Sequence, residues 1–199
     1  MKKVLALMMV LVMLASAFVG CSKPAENNDP AQNGGNPDEI TGEVFDAGNV
    51  SAMVPKGWKA FPVSDIFSDV EGATNPDQVQ IVKGGETEFD TLTKPYIHVT
   101  YYGPNSSLLT PDKEWYDEAT DIEPLTLGGR EWKGFTGKSF DLPITVIWTE
   151  EDANDQQYQV NIFLETSSGK ISLEDADVQA IIASITATGE AAAPEATAE

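Results

Sequence analysis

From Val50 to Leu164 apolar side chains keep returning at every second position, and that period commits most of the chain to β-strands. Val50, Ala52 and Val54 alternate with Ser51 and Met53, and Pro55-Lys56-Gly57 then turns the chain into Trp58. Val79 and Ile81 alternate with glutamine before Gly84-Gly85. Ile97, Val99 and Tyr101 share one face of a strand, with Tyr96, His98, Thr100 and Tyr102 on the other. Leu125 and Leu127 lead into Gly128-Gly129, a dipeptide suited to the positive φ angles of a two-residue hairpin turn, with Trp132 and Phe135 on the return strand. Ile144 to Trp148 is nearly continuous in apolar residues, as a central strand would be. Beyond the polar loop Glu150 to Gln157, Tyr158, Val160, Ile162 and Leu164 resume the alternation.

Three helical segments are expected among these strands. Ser64 opens a short turn carrying Ile66, Phe67 and Val70. Thr110 caps a helix with Pro111 at its first position and Trp115 as its anchor. The strongest runs from Leu173 to Ile185 behind Ser172, with Glu174, Asp175 and Asp177 at the positive end of the helix dipole. Val178, Ile181, Ile182 and Ile185 fall at i, i+3, i+4 and i+7, one apolar stripe to dock on a sheet.

What flanks this region says where the chain goes. Lys2 and Lys3 precede an apolar run from Val4 to Val19, which is broken by Ser16 alone and ends in Gly20-Cys21. A cationic start, a short apolar stretch and a small residue before the cut form a secretory leader; the stretch falls short of the roughly 20 residues of a spanning helix. A cysteine directly after the small residue resembles the lipobox of bacterial lipoproteins. That resemblance implies cleavage after Gly20, lipid on Cys21, a membrane partner through the lipid and an extracytoplasmic address at the cell membrane. The expected organisation is a leader over residues 1–20, a tether over 21–40, one domain over 41–187 and a tail over 188–199. The tether is rich in proline, glycine and asparagine, and the tail in alanine and glutamate.

The formal net charge of −20 becomes −22 once Lys2 and Lys3 leave with the leader. Such a chain repels phosphate backbones, which argues against nucleic acid as a partner. Cys21 is the sole cysteine, so a lipidated chain keeps no thiol for a disulfide, a nucleophile or a metal. Burial alone must hold the domain.

Few residue patterns point to chemistry. Ser167-Ser168-Gly169-Lys170 matches Ser-x-x-Lys, but it sits at a turn with no partner motif. Gly137-Lys138-Ser139 has Trp132 where a phosphate loop needs glycine. His98 is the only imidazole and reads as structural or surface. Trp58, Trp115, Trp132 and Trp148 read as core. Glu150, Glu151, Asp152, Asn154 and Asp155 form an oxygen-rich loop that lacks the spacing of an EF-hand, and Glu86, Glu88 and Asp90 form a second. Both read as solvated surface, with calcium as the alternative.

The stretch Val54-Pro55-Lys56-Gly57-Trp58, the hairpin from Leu125 to Phe135 and the closing pair Ile162 to Ile185 resemble PsbP-like and DcrB-like domains over about Glu43 to Thr186. The resemblance implies an α+β fold, a central antiparallel β-sheet flanked by helices on both faces in an α/β/α sandwich. It brings no catalytic residue with it. The expected function is therefore a non-catalytic binding or accessory module at the cell envelope, without cofactor or metal and with a possible protein partner. A calcium-dependent interaction module and a carboxylate-based hydrolase are the alternatives. The loop Tyr102 to Ser107 and the acidic hairpin Glu150 to Asp155 are the expected docking surfaces, the latter for a basic partner.

Overall fold

The computed structural model of the protein describes residues 40–104, 106 and 110–189. Cys21, the leader, the tether up to residue 39, most of the tail and part of the Tyr102–Ser107 loop lie outside them. Half of the described residues are in strands and 12% in helices, with one α-helix in all.

The main sheet is antiparallel throughout. Its strands are β3 (Trp58–Ser64), β4 (Thr74–Lys83), β5 (Tyr96–Tyr102), β6 (Asp117–Asp121), β7 (Leu125–Leu127), β8 (Arg130–Ser139), β9 (Leu142–Trp148) and β10 (Gln157–Phe163). They lie in the order β3-β4-β5-β10-β9-β8-β6, and β7 also pairs with β8. Two meanders therefore meet where β5 pairs with β10, Ile97 opposite Ile162 and Val99 opposite Val160. Both edges are irregular. The β3 register shifts between Pro62 and Val63, and the β6 register shifts between Asp117 and Thr120, where Glu118 has φ 55°.

A smaller sheet of β1 (Gly42–Asp46), β2 (Val50–Pro55) and β13 (Thr186–Ala187) packs with α1 (Ala176–Ser184) on the first face of the main sheet. Two short strands, β11 (Glu165–Thr166) and β12 (Gly169–Lys170), form a hairpin of their own. Val79, Ile81, Ile97, Val99, Val160, Ile162 and Trp132 from the sheet meet Val178, Ile181 and Ile182 from α1, all fully buried. The helical stripe behaves as its spacing predicts. The helix itself starts later than expected, because Ser172 to Asp175 forms a turn: the Asp175 carboxylate accepts from the Ser172 amide at 3.1 Å, and Asp175 takes the N-cap position.

The α/β/α sandwich is overturned, because the described residues are mostly strand and hold a single α-helix, which packs on the first face. The Ser64 segment does not wind up: the Asp65 carboxylate accepts from the Phe67 amide and the Ser68 hydroxyl from the Val70 amide, local bonds that compete with helix. Ile66 and Phe67 stand 81% and 91% exposed. The Thr110 segment forms only the 3-10 turn Lys113–Trp115, capped by Asp112 through the Glu114 amide, before the chain joins β6. Trp115 anchors nothing and is 76% exposed, whereas Trp58 and Trp132 are core as expected. The second face buries a smaller cluster, Phe135, Ile144 and Val146, against Tyr116, Ala119, Trp148 and Phe163, and by register also Val82 beside Tyr96 and Phe61 beside Gln80.

Candidate functional site: the uncovered sheet face

Paired residues of an antiparallel sheet lie on the same face, so the registers lay out what the second face, which no helix covers among the described residues, presents. Gln80, His98 and Asn161 form one row, and Gln78, Thr100 and Gln159 the next. Tyr102 and Gln157 extend the strip at one end, and the Tyr96–Phe163 pair closes it at the other, the rings stacked with centroids 4.3 Å apart. Trp148, Phe135 and Tyr116 border it on the β8 side, with ring centroids 5.0 to 6.1 Å apart.

The strip is partly knitted together. The Gln159 amide donates to Asn161 Oδ1 at 3.0 Å, the Tyr102 hydroxyl to Gln159 Oε1 at 3.3 Å, and the Gln157 amide to the Thr149 carbonyl at 2.9 Å. Among the described residues, two polar atoms sealed from solvent have no partner, His98 Nε2 and Gln157 Oε1. Both belong to this strip. Burial lowers the His98 pKa to about 4, which keeps the imidazole neutral at physiological pH. Burial likewise raises Tyr96 to about 12 and raises Tyr102, so both phenols stay protonated. The strip is polar throughout and carries no formal charge.

The acidic loops are largely occupied with themselves. Glu150 pairs with Lys133 at 2.6 Å. Asp152 Oδ1 accepts from the amides of Asn154 and Gln156 at 2.8 and 3.1 Å. With Arg130, whose guanidinium stacks 4.6 Å from the Tyr158 ring and donates to the Ile185 carbonyl, this hairpin bounds a cleft of about 310 Å³. The Asp90 carboxylate accepts from the amides of Glu86 and Thr87 and pairs with Lys94, and those amides first of all hold its pKa below the usual value. Among the described residues no three metal-binding side chains stand together. Lys170 points at Glu165, 3.5 Å away, while the Ser167 hydroxyl donates to the Thr93 carbonyl, so the two do not form a serine–lysine pair. Lys138 lies within β8 and pairs with Glu118, in no phosphate loop.

No known protein family matches the chain. No curated protein matches it either. Among solved structures, one from Bacteroides thetaiotaomicron VPI-5482 aligns over 76% of this chain at 12% identity and a TM-score of 0.39. The aligned part is 50% of that protein's own length.

Sequence reasoning put His98 on the correct face but missed the strip around it. A signal was present: in an acidic chain, the polar partners of the alternation at Gln78, Gln80, Thr100, Gln159 and Asn161 are all uncharged.

Proposed function

We propose that this chain is a lipid-anchored extracytoplasmic protein whose domain is a non-catalytic binding module, with its ligand resting on the uncovered sheet face. The observation that carries the reading is the uncharged strip of amide and hydroxyl side chains, Gln78, Gln80, Thr100, Gln159 and Asn161. Each amide or hydroxyl that the strip presents can exchange water for a ligand hydroxyl, a hydrogen bond worth about 0.5–1.5 kcal/mol net. Amides and hydroxyls in rows, bordered by Trp148 and Tyr102, suit an uncharged polyhydroxyl ligand that offers hydroxyls to the amides and a flat apolar face to the rings. A neutral saccharide of the cell envelope has that chemistry. The carboxylate-hydrolase alternative has no comparable support: the carboxyls with a resolved shift, Asp90 and Glu174, are both lowered, while a general acid must be raised.

Thermal-shift measurement with neutral envelope oligosaccharides tests this. Ligand at 100 times its Kd adds about 2.7 kcal/mol, roughly 5–10 °C for a domain of this size. The shift should vanish in Gln80→Glu/Gln159→Glu, which places charge on the strip. An equal shift in that variant, or no shift with any neutral saccharide at millimolar concentration, refutes the site.

A further inference from the structure

The end of the main sheet marked by Ser64 on β3, Tyr102 on β5 and Gln157 on β10 carries the β3–β4 loop and the acidic hairpin between β9 and β10. The β3–β4 loop is closed at its neck, where the Asp65 amide donates to the Ala73 carbonyl at 2.9 Å. Within it the Ser68 amide donates to the Asp65 carbonyl and the Ala73 amide to the Val70 carbonyl, besides the bonds that the Asp65 and Ser68 side chains accept. The backbone is thus tied to itself while the apolar side chains stand in water: Ile66, Phe67 and Val70 are each at least 69% exposed. An exposed apolar patch with a polar rim is the mark of a docking surface.

The rim here is of one sign. Asp65, Asp69 and Glu71 alternate with the apolar residues, and the loop contains no lysine or arginine. Among the described residues, none of these three carboxylates has a basic side chain within 4.0 Å. The acidic hairpin stands two strand spacings from β4, about 10 Å, and adds exposed Glu151, Asp152 and Asp155. The basic residues described at this end are already engaged, Lys133 with Glu150 and Arg130 with the Tyr158 ring and the Ile185 carbonyl. Elsewhere, exposed apolar groups keep mixed company. Phe89 and Leu92 flank the Asp90–Lys94 pair, and Trp115 follows closely on Lys113, which pairs with Asp121.

We infer that the β3–β4 loop is a protein-docking site, whose partner sets an apolar pocket ringed by lysines or arginines over Ile66, Phe67 and Val70. Charge selects that occupant. The carboxylates of the rim repel an anionic bilayer and phosphate backbones, and a chain of net charge −20 repels a second copy of itself. A basic protein surface meets the rim favourably and is steered onto it, while Phe67 fills the pocket as the central anchor. A loop already stitched to itself has little freedom left to lose on binding. The loop lies at the end of the sheet, apart from the proposed saccharide strip, and does not depend on it.

The test places photoreactive p-benzoylphenylalanine at position 67, or at the exposed position 115 as a control, in the full chain in its own cells. Irradiation should yield a discrete protein adduct at 67, several-fold stronger than at 115. Sequencing of the crosslinked peptide should find lysines or arginines close to the point of attachment. Asp69→Lys/Glu71→Lys should cut the yield at 67 several-fold, with the thermal midpoint of the purified chain unchanged; Asp65 is spared because it ties the loop. Should the reversed variant unfold, Asp69→Asn/Glu71→Gln reads the same rim with a smaller loss. A yield at 67 no higher than at 115 overturns the site. An adduct to lipid, to saccharide or to an acidic peptide overturns the partner's chemistry, and a yield indifferent to both sets of changes overturns the role of the rim.

Discussion

Acidification should unfold this domain partly through His98. The imidazole is disfavoured as a cation in the native state, pKa about 4, against 6.5 when exposed. The unfolded chain therefore takes up the proton first, and stability falls as pH drops below 6.5. At 1.36 kcal/mol per pH unit the gap amounts to about 3 kcal/mol once pH passes below 4. By pH 5 about 2 kcal/mol is already lost, and at pH 7.5 almost nothing. Against a typical domain stability of 5–15 kcal/mol, that loss is readily measured. Neighbours in the strip, Gln80 and Asn161, bring no charge to compensate. Urea unfolding at a series of pH values, in the native chain and in His98→Gln, isolates the residue from the carboxylates that titrate lower. The native-minus-variant stability should decline by about 2 kcal/mol between pH 7.5 and 5. Parallel profiles, or an imidazole seen by NMR to titrate near 6.5, would refute the reasoning.

Two further contrasts test the packing. Gly128 and Gly129 both have positive φ, 59° and 74°, but a Cβ on Gly128 would collide with the Ala183 backbone, while one on Gly129 meets nothing. Gly129→Ala should cost only about 1 kcal/mol of backbone strain, and Gly128→Ala clearly more, read as midpoints of urea unfolding. Trp132 is fully buried and its indole donates to the Leu127 carbonyl at 3.1 Å, so Trp132→Ala should cost about 3–5 kcal/mol. Trp115→Ser, at an exposed site, should stay within about 0.5 kcal/mol by calorimetry; a large loss there would mean Trp115 is covered.

The strands were legible because their period is local. The alternations at Ile97 to Tyr101 and Tyr158 to Ile162 and the Gly128-Gly129 turn appear where their residues put them. The pairing of β5 with β10 was not legible, since nothing within either strand names its partner across some 50 residues of chain. The false helices failed at Asp65, Ser68 and Asp112, whose side chains bond backbone amides two residues on. Those residue types serve as caps and as turns, and only the surroundings choose between them. The Phe140-Asp141 turn adopts φ 49° and 65° with no glycine to announce it. The candidate site was half legible: His98 was placed correctly, but its row exists only once Gln80 and Asn161 pair beside it.

The irregular borders of the main sheet acquire a meaning if copies of the protein share a membrane plane. Confinement to two dimensions raises encounter frequency, so long regular β-edges would invite side-by-side polymerisation. Pro62 withholds an amide from one border, and the break at Glu118 bends the other out of line. Each copy can crowd against the next without extending the other's hydrogen-bond ladder, leaving a lawn of separate domains rather than a fibre.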